Sequence, residues 1–206
     1  PWRRVAPFRG VESARVRFMG QDEITRLLNA CPPDFRDLVA LALLSGARYG
    51  ELTRLTASDY HPDSGTLHVL ESKSGRPRHI PLTVEGQALV GRLVLGRRPD
   101  DRLLLRADGR PWGTQHQQRP LADAAERGGV PEVSFDILRH TYASRLAMAG
   151  VPVATIAAAL GHADTRVTTR HYAHLSPGHV ADSIRAGLPD LGLETDPKII
   201  GFHPRR

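Results

Sequence analysis

A short stretch near the C-terminal end of the sequence collects side chains that could carry out chemistry. Residues 160–175 read LGHADTRVTTRHYAHL and place Tyr172 ten positions after His162, in a chain that is 5% aromatic. A phenol can serve as a nucleophile, although an isolated tyrosine on a helix is more often a half-buried packing residue. Four side chains of this stretch are also possible zinc ligands. They are His162, Asp164, His171 and His174.

The charge of the chain narrows the class of partner. Its 28 basic and 22 acidic residues give a net charge of +6 and a pI near 10.2. Such an excess favours a polyanion such as nucleic acid, with a merely basic surface as the equal alternative. The basic residues are 26 arginines and two lysines, Lys73 and Lys198. A lysine in so arginine-rich a chain is a candidate for a specific role.

Hydrophobic periodicity predicts the elements that must position these residues. Most segments have apolar residues at helical spacing, and glycines follow several of them where helices end. One helix is predicted to stop at Gly46, another to begin near Tyr49, and a third to span residues 153–160. Residues 66–72 and 77–82 are short β-branched segments joined by KSGR, which indicates a hairpin with Lys73 at its rim. The predicted fold is mainly α with a small antiparallel β-hairpin or sheet insert.

Length and composition exclude several classes of protein. A chain of 206 residues is long enough for one sizeable core. No apolar run approaches the roughly 18 residues that span a bilayer, and Cys31, the single cysteine, excludes an intramolecular disulfide or a cysteine-based metal cluster. We therefore expect a cytoplasmic protein that has no membrane segment.

Four motifs together resemble a known family. SGARYGEL, ESKSGRPRHIPL, LRHTYASRLAMAG and LGHADTRVTTRHYAHL occur in the order and approximate spacing of the tyrosine recombinase (phage integrase) catalytic domain. The resemblance covers residues 15–187. It implies the DNA breaking-rejoining fold of that family. It also implies site-specific cutting and rejoining of DNA through a covalent 3′-phosphotyrosyl intermediate, without metal, ATP or another cofactor.

The resemblance assigns roles that suit the residue types. Tyr172 is expected to be the nucleophile, because a phenolate leaves more readily than an alkoxide and so makes the exchange reversible. Arg48 and Arg139 are expected to bind the phosphate oxygens through planar, permanently charged forks. Lys73 is expected to be the general acid for the leaving 5′-oxygen, and His162 a further phosphate ligand.

Glu51 and His140 are expected to support this machinery. Glu51 lies one turn after Arg48 and is predicted to buttress that helix end, with an exposed helix acid as the equal alternative. His140 follows Arg139 directly but points about 100° away from it around a helix.

One position departs from the pattern of the family. A histidine usually stands three residues before the second arginine, and here that position is Asp136. A carboxylate could accept a proton but would repel a phosphate. A role for Asp136 in placing a negative charge in the first turn of a helix, next to Ser134, is at least as well favoured. His140 is not an obvious substitute for the missing histidine. A DNA-binding relative without cleavage activity therefore remains an alternative to an active recombinase, as does a DNA-relaxing activity like that of type IB topoisomerases.

The same resemblance divides the chain and implies partners. Residues 1–14 are expected to be a linker from an absent N-terminal DNA-binding domain, residues 15–187 the catalytic domain, and residues 188–206 a C-terminal tail. Double-stranded DNA is the expected partner, in a nucleoid-associated protein. We expect a homotetramer on paired DNA sites and a monomer when this fragment is free. Residues 177–191 are expected either to dock into a neighbouring protomer or to pack in cis.

Overall fold

A computed structural model describes residues 17–70, 77–162, 164–172 and 175. Within these ranges the chain is mainly helical, with one small sheet inserted after the third helix. The helices are α1 (Gln21–Ala30), α2 (Pro33–Ser45), α3 (Tyr49–Leu52), α4 (Val84–Val94), α5 (Gln118–Gly128), α6 (Phe135–Met148), α7 (Val153–Leu160) and α8 (Thr165–Tyr172). The strands are β1 (Tyr60–His61), β2 (Thr66–Val69) and β3 (Arg78–Pro81). The predicted fold class is confirmed.

The sheet is antiparallel in the order β1-β2-β3. Pairing of Leu67 with Ile80 and of Val69 with Arg78 confirms the predicted strands β2 and β3. The connecting residues 71–76, which include Lys73, lie outside the described residues. Strand β1 was not predicted, because two residues are too few to establish an alternating pattern.

Predicted limits of three helices are confirmed. Helix α2 ends at Ser45 and is followed by Gly46 with φ of 62°, α3 begins at Tyr49, and α7 spans Val153–Leu160 before Gly161 with φ of 69°. Glycine adopts this left-handed conformation without the steric cost that a Cβ would add. Helix α8 was not predicted as an element, because its sequence is mostly polar and it buries Thr168 and Tyr172 alone.

Aromatic contacts hold the start of α6 against α2 and α3. The ring of Phe135 lies 5.0 Å from that of Tyr49 and 6.4 Å from that of Phe35, in edge-to-face arrangements. The ring of Trp112 also packs against Phe35, with the ring centroids 5.5 Å apart. This cluster belongs to the larger hydrophobic core. It fixes the segment that follows Gly46 relative to α6.

A second, smaller core joins α6, α7 and α8. Its buried residues are Ala143, Ala147, Ile156, Leu160 and Tyr172. Because α6 contributes to both cores, it connects the main body to the C-terminal helices. The small core therefore decides where Tyr172 lies relative to the rest of the domain.

No helix within the described ranges is both long enough and apolar enough to span a membrane. The expected linker at residues 1–14, the tail at 188–206 and the segment 177–191 all lie outside these ranges.

Replacing Gly46 with alanine should destabilise the domain. A Cβ at this position would lie 2.4 Å from Cδ1 of Tyr142, on a residue whose φ is already positive. We expect the left-handed backbone and the overlap together to lower the free energy of unfolding by about 2–5 kcal/mol in urea titrations. Gly96→Ala is the matched control, since Gly96 has φ of 72° with no atom within 4 Å of its Cβ position. Equal losses in the two variants would contradict a packing role for Gly46.

Candidate active site

Arg139 lies at the centre of the site and is buried by the ends of two helices. Its Nη1 donates to the carbonyl of Gly46 after α2 at 2.7 Å, and its Nη2 donates to the carbonyl of Leu160 at the end of α7 at 2.6 Å. These carbonyls have no partner within their helices, and a cation is favoured beside them. Burial, reinforced by the charge of Arg48, lowers the pKa of Arg139 to about 10. Arg139 therefore stays protonated at neutral pH.

His162 follows α7 at the predicted helix–loop junction and contacts Arg139. Its Nε2 lies 3.1 Å from Nη2 of Arg139, and its Nδ1 lies 2.8 Å from Oγ1 of Thr168. A guanidinium can only donate, so Nε2 must accept and Nδ1 must carry the proton that it donates to Thr168. Burial and the nearby positive charges, Arg139 first among them, lower the pKa of His162 to about 4. The ring is therefore neutral under physiological conditions.

Glu51 lies between two arginines and is buried. Its Oε2 accepts hydrogen bonds from the backbone N–H of Arg48 at 2.9 Å and from Nη2 of Arg78 at 2.8 Å. Its Oε1 accepts from Nη1 of Arg48 at 3.1 Å. The side chain of Glu51 is 2% exposed, so the alternative of an exposed helix acid is wrong. Burial alone would raise its pKa, but the bonds and charges of Arg78 and Arg48 outweigh burial and leave the pKa lowered.

Arg78 is a site residue that the sequence analysis missed. It begins β3, its side chain is 6% exposed, and its Nε donates to the carbonyl of Ala159 in α7 at 2.8 Å. A signal was available in the strand pattern. Arg78 has the same parity as the buried Ile80, so the alternation of β3 places a charged residue on the inward face. A charge in that position needs a buried partner, and Glu51 is that partner.

Tyr172 and His140 contact each other between α8 and α6. Nδ1 of His140 lies 2.5 Å from the hydroxyl oxygen of Tyr172, and Tyr172 is 2% exposed. Burial raises the pKa of Tyr172 to about 12 even though the charge of Arg139 acts in the opposite direction. The phenol is therefore protonated, shielded from solvent and close to the positive cluster.

Asp136 is the remaining expected catalytic position that the structure describes. Asp136 is exposed in the first turn of α6, where Ser134 caps the helix by accepting from the N–H of Ile137 at 3.2 Å. Lys73 and His174 lie outside the described residues. Among the described residues, no group of three or more histidine, cysteine or acidic side chains is arranged to hold a metal.

The arrangement is suited to binding an anion. Arg48, Arg78 and Arg139 are permanent cations, and Glu51 compensates only one of them. The side chain of Arg48 is 34% exposed, so the cluster is open to solvent on the side of α3. A phosphate group placed there would meet donors that are already fixed in position, as stabilisation of charge in a transition state requires.

Removal of the Glu51 charge should weaken the fold. Glu51→Gln leaves two arginines without their shared carboxylate, and we expect the free energy of unfolding at pH 7 to fall by about 3 kcal/mol. A lowered folded-state pKa contributes stability above the ordinary value of 4.5 that is lost as the pH falls further. Urea titrations should therefore show the difference from wild type shrinking below about pH 4.5. Glu126→Gln, at an exposed position of α5, serves as control; a comparable loss there would refute the role of Glu51.

His162 should remain neutral well below the usual range of histidine. We expect nuclear magnetic resonance titration to find its proton on Nδ1 at pH 7 and its protonation near pH 4. Because its folded-state pKa is lowered, the unfolded chain binds the proton first, and the domain loses stability as the pH falls from about 6.5 towards 4. Titration near pH 6.5, or a proton on Nε2, would contradict the geometry of the bond to Arg139.

Comparison with known proteins places this chain in a family. The model of the phage integrase family matches residues 17–179. Among curated relatives, the putative integrase of Pseudomonas phage Pf1 is 29% identical over 179 residues, which are 84% of this chain and 49% of the relative. Tyrosine recombinase XerA of Saccharolobus solfataricus is 29% identical over 180 residues, which are 87% of this chain and 58% of the relative. The chain thus spans about half the length of the curated relatives that it matches.

Solved structures agree with this placement. The catalytic domain of bacteriophage HP1 integrase matches with a TM-score of 0.65 and 26% identity, covering 82% of this chain and 94% of that one. The Tn1549 transposon integrase, solved in complex with circular intermediate DNA, has a similar fold, with a TM-score of 0.68, 18% identity and coverage of 84% of this chain and 67% of that one. Since the family model matches most of its length and the fold agrees, the chain belongs to the phage integrase family.

Proposed function

We propose that this chain cuts and rejoins DNA strands at specific sites through a covalent 3′-phosphotyrosyl intermediate on Tyr172. The observation that carries the proposal is the placement of a phenol beside fixed cations. Tyr172 lies close enough for the charge of Arg139 to act on it, and Arg139 in turn contacts His162. Family membership and the integrase and recombinase relatives support the same reaction.

The proposed chemistry uses residues of this chain alone. The phenol oxygen attacks a phosphodiester phosphorus, the bond from phosphorus to the 5′-oxygen breaks, and the phosphate stays attached to Tyr172. Arg48 and Arg139 stabilise the charge that develops on the non-bridging oxygens. Lys73 is proposed to protonate the leaving 5′-oxygen, and His162 to bind a phosphate oxygen once its ring reorients from Arg139. In the reverse step a 5′-hydroxyl of another strand displaces Tyr172.

The described geometry implies a rearrangement before cleavage. The hydroxyl of Tyr172 is buried in the small core, where it cannot reach a phosphate bound from solvent. Most of α8 is exposed and polar, and the helix buries only Thr168 and Tyr172. We infer that α8 shifts when DNA binds, because few apolar contacts oppose such a movement.

The proposed partners follow from the same reaction. Double-stranded DNA would bind across the arginine cluster, and we propose a homotetramer on paired sites with a monomer in the absence of DNA. Contacts to phosphates should make the affinity fall steeply as the salt concentration rises.

Adduct trapping tests the proposal. The protein is incubated, in the presence of a chelator, with nicked duplexes tiled along the DNA that flanks its gene. A nick just beyond the scissile phosphate lets the short 5′-hydroxyl fragment diffuse away, so the covalent complex accumulates. We expect a DNA adduct on a denaturing gel for wild type and its complete loss in Tyr172→Phe.

Tyr60→Phe is the matched control, since Tyr60 lies on β1 rather than in the small core, and it should form the adduct normally. DNA binding without an adduct in wild type, followed by an adduct in Asp136→His, would instead support a binding protein that lost cleavage at that position. Relaxation of a supercoiled plasmid by wild type would favour the topoisomerase-like alternative.

A further inference from the structure

The buried hydroxyl of Tyr172 has one polar partner among the described residues, and it is His140. The two side chains come from α8 and α6, and the oxygen lies 2.5 Å from Nδ1 of the imidazole. Apolar side chains of the small core, among them Ala143, Ile156 and Leu160, pack around the phenol as well. A buried hydroxyl without a partner would be costly, so this bond decides the orientation of the phenol.

The protonation states, together with the acceptors available to the phenol, give the direction of the bond. Burial lowers the pKa of His140, the nearby His171 and Arg139 act in the same sense, and Asp136 opposes them. The imidazole is therefore neutral at neutral pH, and the phenol is protonated. The phenol proton has no other acceptor among the described residues, so Tyr172 donates to Nδ1, and the ring proton of His140 is on Nε2.

Other candidate proton acceptors near Tyr172 make no hydrogen bond to its hydroxyl among the described residues. Both ring nitrogens of His162 are engaged, one by Arg139 and the other by Thr168. Asp136, at the position where the family usually has a histidine, is exposed. The ring of His171 stands edge-to-face to Tyr172 with centroids 6.1 Å apart. Of these groups, only His140 is in contact with the reacting oxygen.

We propose that His140 is the proton acceptor for Tyr172 in strand cleavage, an inference that rests on the proposed function. As the bond from the phenol oxygen to phosphorus forms, the hydroxyl proton moves to Nδ1 of His140. The bond from phosphorus to the 5′-oxygen breaks, and that oxygen takes its proton from Lys73. In the reverse step the imidazolium returns the proton to Tyr172 as the bond to phosphorus breaks. When α8 shifts, the side chain of His140 must reorient on α6 so that Nδ1 stays within hydrogen-bond reach of the phenol oxygen.

Asp136 contributes to this step from one turn earlier on α6. Residues four apart share a helix face, and the charge of Asp136 favours the protonated form of His140. The carboxylate that departs from the family pattern is thus a residue that favours proton uptake by the neighbouring histidine. It acts through His140 and has no contact with Tyr172 of its own among the described residues.

The test compares single-turnover rates of adduct formation on a nicked duplex that wild type cleaves. In His140→Asn the amide oxygen can still accept a bond from Tyr172, but it does not take up the proton. We expect the rate to fall by about 10²–10⁴-fold, with unfolding in urea and DNA affinity close to those of wild type. The matched control is His171→Asn, on the neighbouring ring, which should stay within about threefold of wild type.

Two further measurements separate proton transfer from a structural role. The wild-type rate should fall on the acid side as His140 becomes protonated under the influence of Asp136, Arg139, His162, His171 and the phenol itself. The rate of His140→Asn should not show this acid-side fall due to His140, and it should rise with pH as the phenol ionises. A duplex with sulfur in place of the bridging 5′-oxygen needs no protonation of the leaving group. With this duplex, Lys73→Ala should form the adduct at about the wild-type rate, whereas His140→Asn should remain slow.

The outcomes separate this inference from the proposed function. An unchanged rate in His140→Asn, or its rescue by the sulfur substrate, would overturn the role of His140 while leaving the nucleophile in place. A faster rate would also overturn it and make the bond a latch that holds Tyr172 inside the core. If wild type forms no adduct with any duplex, the proposed function fails, and the role of His140 fails with it.

Discussion

The buried guanidinium of Arg139 is the interaction on which the rest of the site depends. It bonds to carbonyls at the C-terminal ends of α2 and α7, two helices that are far apart in the sequence. Each helix end leaves carbonyls without partners, and the cation satisfies them while they offset the cost of its burial. The residue that is proposed to bind phosphate therefore also holds together the framework that positions it.

Glu51 extends the same principle to the sheet. It accepts hydrogen bonds from Arg48, at the start of α3, and from Arg78 on β3. Arg78 also donates a hydrogen bond to the carbonyl of Ala159 on α7. Two arginines thus meet successive carbonyls at the end of α7. Gly161 follows them, and a Cβ there would lie 2.9 Å from Nη1 of Arg78. The close approach of an arginine, as well as the positive φ, requires glycine at this helix end.

Tyr172 is held differently from the cations. Its position depends on a small core of short side chains from three helices and on the bond to His140. Arg78 and Arg139 are each fixed by several hydrogen bonds, whereas α8 buries only Thr168 and Tyr172. A firmly held cluster of cations beside a less firmly held phenol suits the proposed reaction, in which the phenol would have to be exposed and withdrawn as DNA binds and leaves.

The sequence by itself determined the fold class, the end of α2, the limits of α7, the β2–β3 pairing and the motifs that carry Arg48, Arg139, His162 and Tyr172. These follow from local periodicity, from glycines at helix ends and from residue types at fixed spacing. Only the tertiary structure decided that Arg78 shares Glu51 with Arg48, and that His140, rather than the residue at position 136, contacts the phenol. Such contacts join residues 27 and 32 positions apart, and they depend on how helices and strands pack, which short-range patterns do not encode.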